Sequence, residues 1–340
     1  MRCWMSGLVI GHLTTTALFA ATAPPVAQKD GQPMRAVSAG TPEDSYPIRF
    51  ASQPPARPDT ALADTALVLG VVVGDEARAY PLSTLWDEGK HTVNDNLGDS
   101  PIAVSMCPLA GVGATYLRKV GNDVLDIGSL VTVARGSLVL YDRQTHTSWN
   151  LLSGDALSGQ LEGQRLRRIP TTFTTWAHWR AMHPTTTVYV SPDADAGLAL
   201  DASRMRRILL STSGPARDRD WVLGLSCSKD ANALLVRQIA GRRVANVKVD
   251  DRPIVVFLTE DLTTTAAWQR SASGRTLTFR AEGDTMTDAE TGSSWDPFTG
   301  MAMAGPLKDQ KLKRVSLLPA FWHAWKAHHP EATILEVPVD

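Results

Sequence analysis

The sequence has little of several features that mark particular classes of protein. Its 340 residues include three cysteines, too few for a disulfide-stapled miniature scaffold or a cysteine-rich zinc module. The 34 Lys and Arg residues nearly cancel the 35 Asp and Glu residues, so the chain has no strong positive field and we expect no nucleic-acid partner. After the N-terminus, no run of about 18 strongly apolar residues indicates a membrane span. The apolar share of 43% is ample for one large domain or two ordinary ones.

Motifs that identify common reactions are missing as well. The sequence has no phosphate-cradling glycine loop, no His-Glu-x-x-His zinc motif and no Gly-x-Ser-x-Gly nucleophile motif. The residues therefore point to a compartment, an internal duplication and one candidate site, and to no specific reaction.

Residues 1–23 have the features of a secretory signal peptide. Arg2 supplies the positive start, an alanine-rich apolar stretch follows, and Ala21-Thr22-Ala23 offers a small-residue cleavage site. Because Pro24 would hinder cleavage after Ala23, a cut one residue earlier or an uncleaved signal anchor is the alternative. Residues 24–64 are rich in proline and predict a tether. We expect a periplasmic or secreted protein with no further membrane span.

An internal repeat is the most informative feature of the chain. Asp142–Trp149 matches Asp288–Trp295, and the same offset of 146 residues aligns His183-Pro184 with His329-Pro330. Chance similarity rarely keeps one register over some fifty residues, so we predict a duplication. The predicted domains are lobe one at residues 65–192, a connector at 193–220 and lobe two at 221–340.

The predicted fold class is mainly β (α+β), with two homologous β-rich lobes that are each closed by one C-terminal helix. Gly74-Asp75 and Gly121-Asn122 are typical of hairpin turns between apolar or alternating segments. Helices are predicted at Thr174–Met182 and Pro319–His328, both ending at His-Pro. Strands in lobe one are predicted at Leu67–Val73, Glu76–Tyr80, Pro101–Met106, Ala114–Val120, Asp123–Ile127, Leu138–Asp142, Thr147–Leu151 and Thr186–Val190, and the copy of the last at Thr333–Val337.

Tryptophan is abundant, with 10 residues against 5 tyrosines. A carbohydrate-stacking surface is one interpretation. Core packing is favoured, because Trp149 and Trp179 recur in lobe two as Trp295 and Trp325, at positions that belong to the framework of each lobe.

The candidate site is Cys107, which ends a predicted strand before Pro108 where lobe two has Thr259. A cysteine at a strand end lies at a loop mouth, where functional groups are common, and it could act as a thiolate nucleophile or bind a soft metal ion such as copper or zinc. The alternative is a buried thiol that fills space. His91 is the candidate partner as a catalytic residue or metal ligand, with Asp95 or His146 as further helpers. We expect Cys107 and Cys227 to stay unpaired.

Four segments in order resemble a bacterial family known as domain of unknown function 3179. They are Gly74–Leu82, Val93-Asn94-Asp95, Cys107-Pro108-Leu109 and Leu140–Arg143, which match G-E-A-R-A-Y-P-L, H-E-x-V-N-D, C-P-L-C-G and S-D-L-x-x-Y-D-R. The resemblance implies an extracytoplasmic protein and brings no assigned reaction.

The departures from the family pattern fall on the residues with ligand chemistry. Lys90 stands in place of the family's His, with His91 one position later, Ala110 replaces the second Cys, and Ser137 replaces the Asp before the Leu-x-x-Tyr-Asp-Arg run. A single thiol and a shifted His are a poor set for holding a soft metal ion.

Two classes of function follow. The favoured one is an exported, non-catalytic module that binds a small molecule or a protein through the lobe-one loop or the cleft between the lobes. The alternative is a thiol- or metal-dependent redox enzyme centred on Cys107. The sequence leaves the cofactor unknown, with a metal ion as the possibility that Cys107 and His91 suggest.

Overall fold

The computed structural model describes residues 62–85, 91–189, 217–225 and 231–338. The predicted signal peptide, nearly all of the tether, most of the connector and Cys227 lie outside these residues. The prediction of a mainly β fold is confirmed, since 51% of the described residues are in strands and 9% are helical. None of the helices in the described residues is long and apolar enough to cross a membrane.

Fourteen strands and two helices form in the described part of the N-terminal half (residues 62–189). The helices are α1 Leu82–Leu85 and α2 Trp176–Met182. The strands are β1 Leu67–Val73, β2 Glu76–Pro81, β3 Thr92–Leu97, β4 Ser100–Cys107, β5 Val112–Leu117, β6 Lys119–Val120, β7 Asp123–Val124, β8 Ile127–Ala134, β9 Ser137–Asp142, β10 Ser148–Asn150, β11 Ala156–Ser158, β12 Arg168–Ile169, β13 Thr171–Thr175 and β14 Thr187–Val188.

Thirteen strands and two helices form in the described part of the C-terminal half (residues 217–338). The helices are α3 Val236–Ile239 and α4 Trp322–His328. The strands are β15 Trp221–Leu225, β16 Ala233–Leu235, β17 Val244–Val249, β18 Arg252–Leu258, β19 Thr265–Gln269, β20 Ser271–Ala272, β21 Arg275–Thr276, β22 Phe279–Glu282, β23 Thr285–Asp288, β24 Ser294–Trp295, β25 Ala302–Ala304, β26 Lys313–Arg314 and β27 Leu317–Phe321.

Each half builds three small sheets and one two-stranded ribbon. The N-terminal orders are β13-β1-β2-β14, β12-β5-β4-β3, β11-β10-β9-β8 and β6-β7. The C-terminal orders are β27-β15-β16, β26-β19-β18-β17, β25-β24-β23-β22 and β20-β21. In the N-terminal half, β14 pairs in parallel with β2. At the corresponding place, the described part of the C-terminal half has one parallel bridge, between Ala233 and Ile334. The prediction of a strand at Thr333–Val337 is therefore wrong, since only Ile334 in this segment forms a bridge.

The hairpins form where the turn residues predict them. Gly74 and Gly121 have φ of +58° and +59°, in the left-handed region that glycine adopts without steric cost. They close the β1–β2 hairpin and the β6–β7 ribbon. The predicted strand Ala114–Val120 divides into β5 and β6.

The two longer helices begin later than predicted. Thr171–Thr175 and Leu317–Phe321 are strands that pair antiparallel with β1 and β15, so helix α2 begins at Trp176 and helix α4 at Trp322. The β-branched residues of the first segment favour a strand, and the ladder provides partners for their backbone groups. Both helices end where predicted, directly before His183 and His329, whose backbone N–H groups donate to the carbonyls of Trp179 and Trp325.

The framework tryptophans are core residues. Trp149, Trp179, Trp295 and Trp325 are all fully buried, which confirms the core interpretation over the carbohydrate surface. The imidazoles of the two helix-ending histidines lie against Trp179 and Trp325, with ring centroids 4.2 Å and 4.5 Å apart.

The two halves share hydrophobic clusters. One cluster contains Leu69 from the N-terminal half together with Leu223 from the C-terminal half. A second contains Cys107 and Trp149 together with Trp325. The contact between the halves is thus part of the core, and residues distant in sequence meet there.

Candidate functional site

Cys107 ends β4, as predicted, but it is fully buried rather than placed at an open loop mouth. Its Sγ accepts a hydrogen bond from the backbone N–H of Ala110 at 3.3 Å. Burial raises the pKa of the thiol, and backbone hydrogen bonds from Leu138, Ala110 and Leu109 only partly oppose that effect. A buried thiol with a raised pKa has little thiolate at neutral pH, and the thiolate is the form that reacts and binds metal ions.

The loop after Cys107 is covered by the C-terminal half. The carbonyl of Ala110 accepts a hydrogen bond of 2.7 Å from the backbone N–H of Phe321. Gly111 has φ of +64°, and a Cβ there would lie 3.0 Å from Nε1 of Trp221 and 3.2 Å from Phe321. The sequence places the loop at the end of a strand, but the covering residues Trp221 and Phe321 lie 110 and 210 positions after Gly111.

His91 lies beside β4, but its side chain does not face Cys107. The backbone N–H of Met106 donates to the carbonyl of His91 at 2.9 Å, so these two residues are cross-strand neighbours. Cys107 follows Met106 in the strand and points to the opposite face of the sheet. The ring Nδ1 of His91 is instead 2.9 Å from the carbonyl oxygen of Leu85. Cys107 and His91 therefore do not fit a shared metal ion or a nucleophile–base pair.

Asp95 and His146, the two further helpers, are occupied by other partners. The carboxylate of Asp95 is buried and accepts hydrogen bonds from Arg78 at 2.5 Å and from Tyr80 at 2.8 Å. His146 is exposed, and its Nδ1 lies 2.5 Å from the hydroxyl of Tyr141. Among the described residues, no three His, Cys, Asp or Glu side chains are grouped so that they could hold a metal ion.

Two of the family-like segments have structural roles. The buried carboxylate of Asp142 accepts hydrogen bonds from the backbone N–H of Thr145 at 2.6 Å and from Nε1 of Trp149 at 2.9 Å. Asn94 exchanges two hydrogen bonds with the backbone of Ile127, at 2.8 Å and 3.0 Å. Because these polar groups are buried and satisfied by the protein itself, they stabilise the fold rather than offer a site.

A cleft between the two halves is a second candidate binding site. The sequence indicates this cleft as a binding place but identifies none of the residues that line it. Its volume is about 270 Å³. Three segments form most of its lining, Arg168–Phe173 from the N-terminal half and Thr265–Ala267 and Arg314–Pro319 from the C-terminal half. Leu69 and the start of β5 complete it, and none of the described residues that line it is acidic. The cleft is thus a mostly apolar cavity with two guanidinium groups and a few hydroxyls.

Arg168 is half-buried and held in place by its neighbours. Its Nη2 donates to the hydroxyl of Tyr116 at 2.9 Å and to the carbonyl of Leu152. The guanidinium also lies over the ring of Tyr116, 5.4 Å from the centroid. Burial raises the pKa of Tyr116, which keeps its hydroxyl neutral and able to donate to Leu151 at 2.7 Å. Such a fixed guanidinium is preorganised for an anion.

Arg314 lies at the corresponding place in the other wall of the cleft. Its guanidinium is 5.7 Å from the centroid of the Trp268 ring, and it makes no ion pair within the described residues. The side chain is exposed, yet the desolvation from neighbouring groups lowers its pKa. Arginine stays protonated in proteins, so Arg314 is a cation that has no anionic partner in the described part of the chain.

The predicted repeat carries a signal that could have located the cleft. The offset of 146 residues that aligns the two halves also aligns Arg168 with Arg314, and both residues are arginine. The prediction named the cleft between the lobes as one binding place and gave no residues for it. Sequence alone does not show that these two arginines line one cavity, since their sheets meet only through the packing of the halves.

We expect Cys107 to behave as an inert structural thiol. In the native protein at pH 7, its labelling by a small thiol reagent should be at least about a hundredfold slower than in denaturant, because local opening must come first. Cys107→Ser should destabilise the fold by about 1–3 kcal/mol, since it places a hydroxyl in an apolar cluster. Mass spectrometry after timed labelling measures the rate, with Cys227 as the internal reference. Rapid native labelling of Cys107 would instead revive the thiol-enzyme alternative.

Comparison with known proteins agrees with the four segments noted in the sequence. No curated protein and no solved structure matches the chain significantly. A family model matches residues 48–332, which is most of the chain. The chain belongs to the family described as protein of unknown function (DUF3179).

Proposed function

We propose that this protein is an exported, non-catalytic module that binds a small anionic ligand in the cleft between its two halves. The observation that carries the proposal is the pair of arginines, Arg168 and Arg314, in a cavity whose described lining contains no acidic residue. The described surroundings of Cys107 support a structural role for this thiol and so favour binding over thiol chemistry.

Electrostatics favours an anion in this cavity. The whole chain has a net charge of −1, so the positive charge in the cleft is local. Two cations in a concave, partly desolvated place attract an anion more strongly than they would on an open surface. Guanidinium groups also form bidentate hydrogen bonds with carboxylates, which gives such a site direction as well as charge.

The size and lining of the cleft favour a small ligand. A volume of about 270 Å³ holds about nine water molecules at their share of liquid volume. Apolar residues such as Leu69, Phe173 and Leu318 contribute to the walls, with the hydroxyls of Thr172 and Ser316 as additional polar groups. Such a mixture of apolar walls and few polar groups is typical of small-molecule sites.

The duplication is part of the same proposal, because the cleft lies where the two halves meet. Equivalent hydrogen bonds in the two halves support the duplication. Asp142 and Asp288 each accept a 2.9 Å hydrogen bond from a buried indole, that of Trp149 or of Trp295. Asn94 and its counterpart Asn246 each exchange two hydrogen bonds with a backbone segment 33 residues later. The order of strands in the sheets of the N-terminal half resembles that in the corresponding sheets of the C-terminal half, which also supports the duplication.

Export is supported by residues 1–23 and makes the ligand one that is available outside the cytoplasm. We expect the mature chain to begin between Ala21 and Lys29 in the periplasmic or secreted fraction. N-terminal sequencing of the protein from its native host measures this. A full-length chain in the cytosol would contradict it.

Binding should appear as thermal stabilisation by small anions. At a hundredfold excess over Kd, a ligand that binds only the folded state adds about 2.7 kcal/mol to the free energy of unfolding. We therefore expect small carboxylates to raise the Tm by about 5 °C at low ionic strength. Neutral amide analogues of the same shape should leave the Tm unchanged.

The double variant Arg168→Gln with Arg314→Gln should lose this stabilisation. Arg280→Gln is the matched control, because Arg280 is exposed and does not line the cleft. If small anions stabilise the double variant as much as the wild type, the cleft is not their site. If none stabilises the wild type, the proposed function is wrong.

A further inference from the structure

We infer that the ligand of the cleft carries two anionic groups on one short chain, one for each arginine, as a small dicarboxylate does. The inference rests on the proposed function and adds the class of ligand. It follows from how the two guanidinium groups are attached to the walls of the cleft.

The two arginines have matching positions in two different sheets. Arg168 in β12 lies directly across the ladder from Tyr116 in β5, and its guanidinium lies over that ring, 5.4 Å from the centroid. Arg314 in β26 lies directly across from Trp268 in β19, and its guanidinium lies over that ring, 5.7 Å from the centroid. Each guanidinium thus has its own cross-strand aromatic partner, which limits how far it can move.

The attachment keeps the two charges apart. Arg168 is tied to Tyr116 and to the carbonyl of Leu152, so a swing toward the opposite wall would break both hydrogen bonds. Arg314 is attached to the other wall, where its guanidinium lies over the ring of Trp268. Two cations that are attached to different sheets of the cleft provide two separate contacts for anionic groups.

A ligand with a carboxylate at each end satisfies both cations. Each carboxylate can accept from one guanidinium, and the methylene groups between them can lie against apolar lining such as Ala114, Ala266 and Leu318. A monocarboxylate of the same length leaves one of the two guanidinium groups without a counter-ion. Succinate and glutarate are small enough for a cavity that holds about nine water molecules.

Calorimetric titration of the full protein tests this inference. The probes are succinate and glutarate, with butyrate and valerate as monoanions of the same chain lengths, all at one fixed ionic strength. We expect the dicarboxylates to bind at least about tenfold more tightly, because they gain a second charge-assisted contact. Arg168→Gln and Arg314→Gln should each weaken dicarboxylate binding by about tenfold or more and bring it near the level of the monocarboxylate.

Control variants distinguish a failure of the dicarboxylate inference from a failure of the proposed anion binding. Arg280→Gln should bind like the wild type, and circular dichroism should show that each variant is folded. Arg168→Lys and Arg314→Lys keep the charge if a glutamine variant fails to fold, and they should retain a preference for the dianion. If monoanions and dianions bind equally, or if only one arginine matters, the inference fails while anion binding in the cleft stands. If neither class binds, the proposed function fails with it.

Discussion

Gly224→Ala should abolish stable folding or lower the free energy of unfolding by at least about 3 kcal/mol. A Cβ on Gly224 would lie 2.2 Å from Cη2 of Trp325, closer than such atoms come in folded proteins. Trp325 cannot yield easily, because it is fully buried and its Nε1 donates to the carbonyl of Ala231 at 2.7 Å. Overpacking a rigid core costs about 1–3 kcal/mol for added methylenes, and we expect at least the upper value because this clash is with a buried indole ring that is held by a hydrogen bond. Urea unfolding followed by tryptophan fluorescence measures the loss.

The clash itself can be tested by making room for the new methyl group. In the background of Gly224→Ala, Trp325→Leu should be less damaging than it is in the wild type, so the two changes are coupled. Gly241→Ala is the control, since nothing lies within 4 Å of a Cβ at that exposed position. Gly70→Ala should repeat the large effect, because its Cβ would lie 2.2 Å from Trp179. A Gly224→Ala protein within about 0.5 kcal/mol of the wild type would contradict the packing described here.

Local features of the fold could be predicted because they depend on neighbouring residues. The turns at Gly74 and Gly121 need a residue that tolerates positive φ, and that requirement is visible in the sequence. The strand prediction Leu67–Val73 agrees with β1 residue for residue. The helix ends before His183 and His329 were also predictable, since a following proline disfavours helical backbone at the residue before it.

Features that depend on packing between the halves could not be predicted. Cys107 is at the end of a strand, and the sequence makes that place look open. Its loop is covered because Phe321 donates to Ala110 and because Trp221 lies against Gly111. The cleft, too, forms only through packing between the two halves. Arg168 and Arg314 are visible as a matched pair in the predicted repeat, but only the packing of their sheets makes them line one cavity.

Asp142→Ala should cost about 3–5 kcal/mol of stability. The carboxylate is fully buried and accepts hydrogen bonds from the backbone N–H of Thr145 at 2.6 Å, from the hydroxyl of Thr145 at 2.8 Å and from Nε1 of Trp149 at 2.9 Å. Alanine leaves the backbone N–H and the indole N–H buried without this acceptor, and each buried unsatisfied donor costs about 1–3 kcal/mol. Calorimetric and urea unfolding measure the loss.

Further variants distinguish the loss of the buried hydrogen-bond network of Asp142 from the loss of its negative charge. Asp142→Asn keeps one acceptor oxygen for Thr145 but turns an amide N–H₂ toward a donor, so we expect about half the loss. Asp123→Asn is the matched control for charge, because Asp123 is exposed at the β6–β7 ribbon, and it should stay within about 0.5 kcal/mol of the wild type. Asp288→Ala should repeat the large effect, since Asp288 accepts the equivalent bonds from Thr291 and Trp295. Equal, small losses for Asp142→Ala and Asp123→Asn would show that this buried network contributes little to stability, and would contradict the structural role given to Asp142.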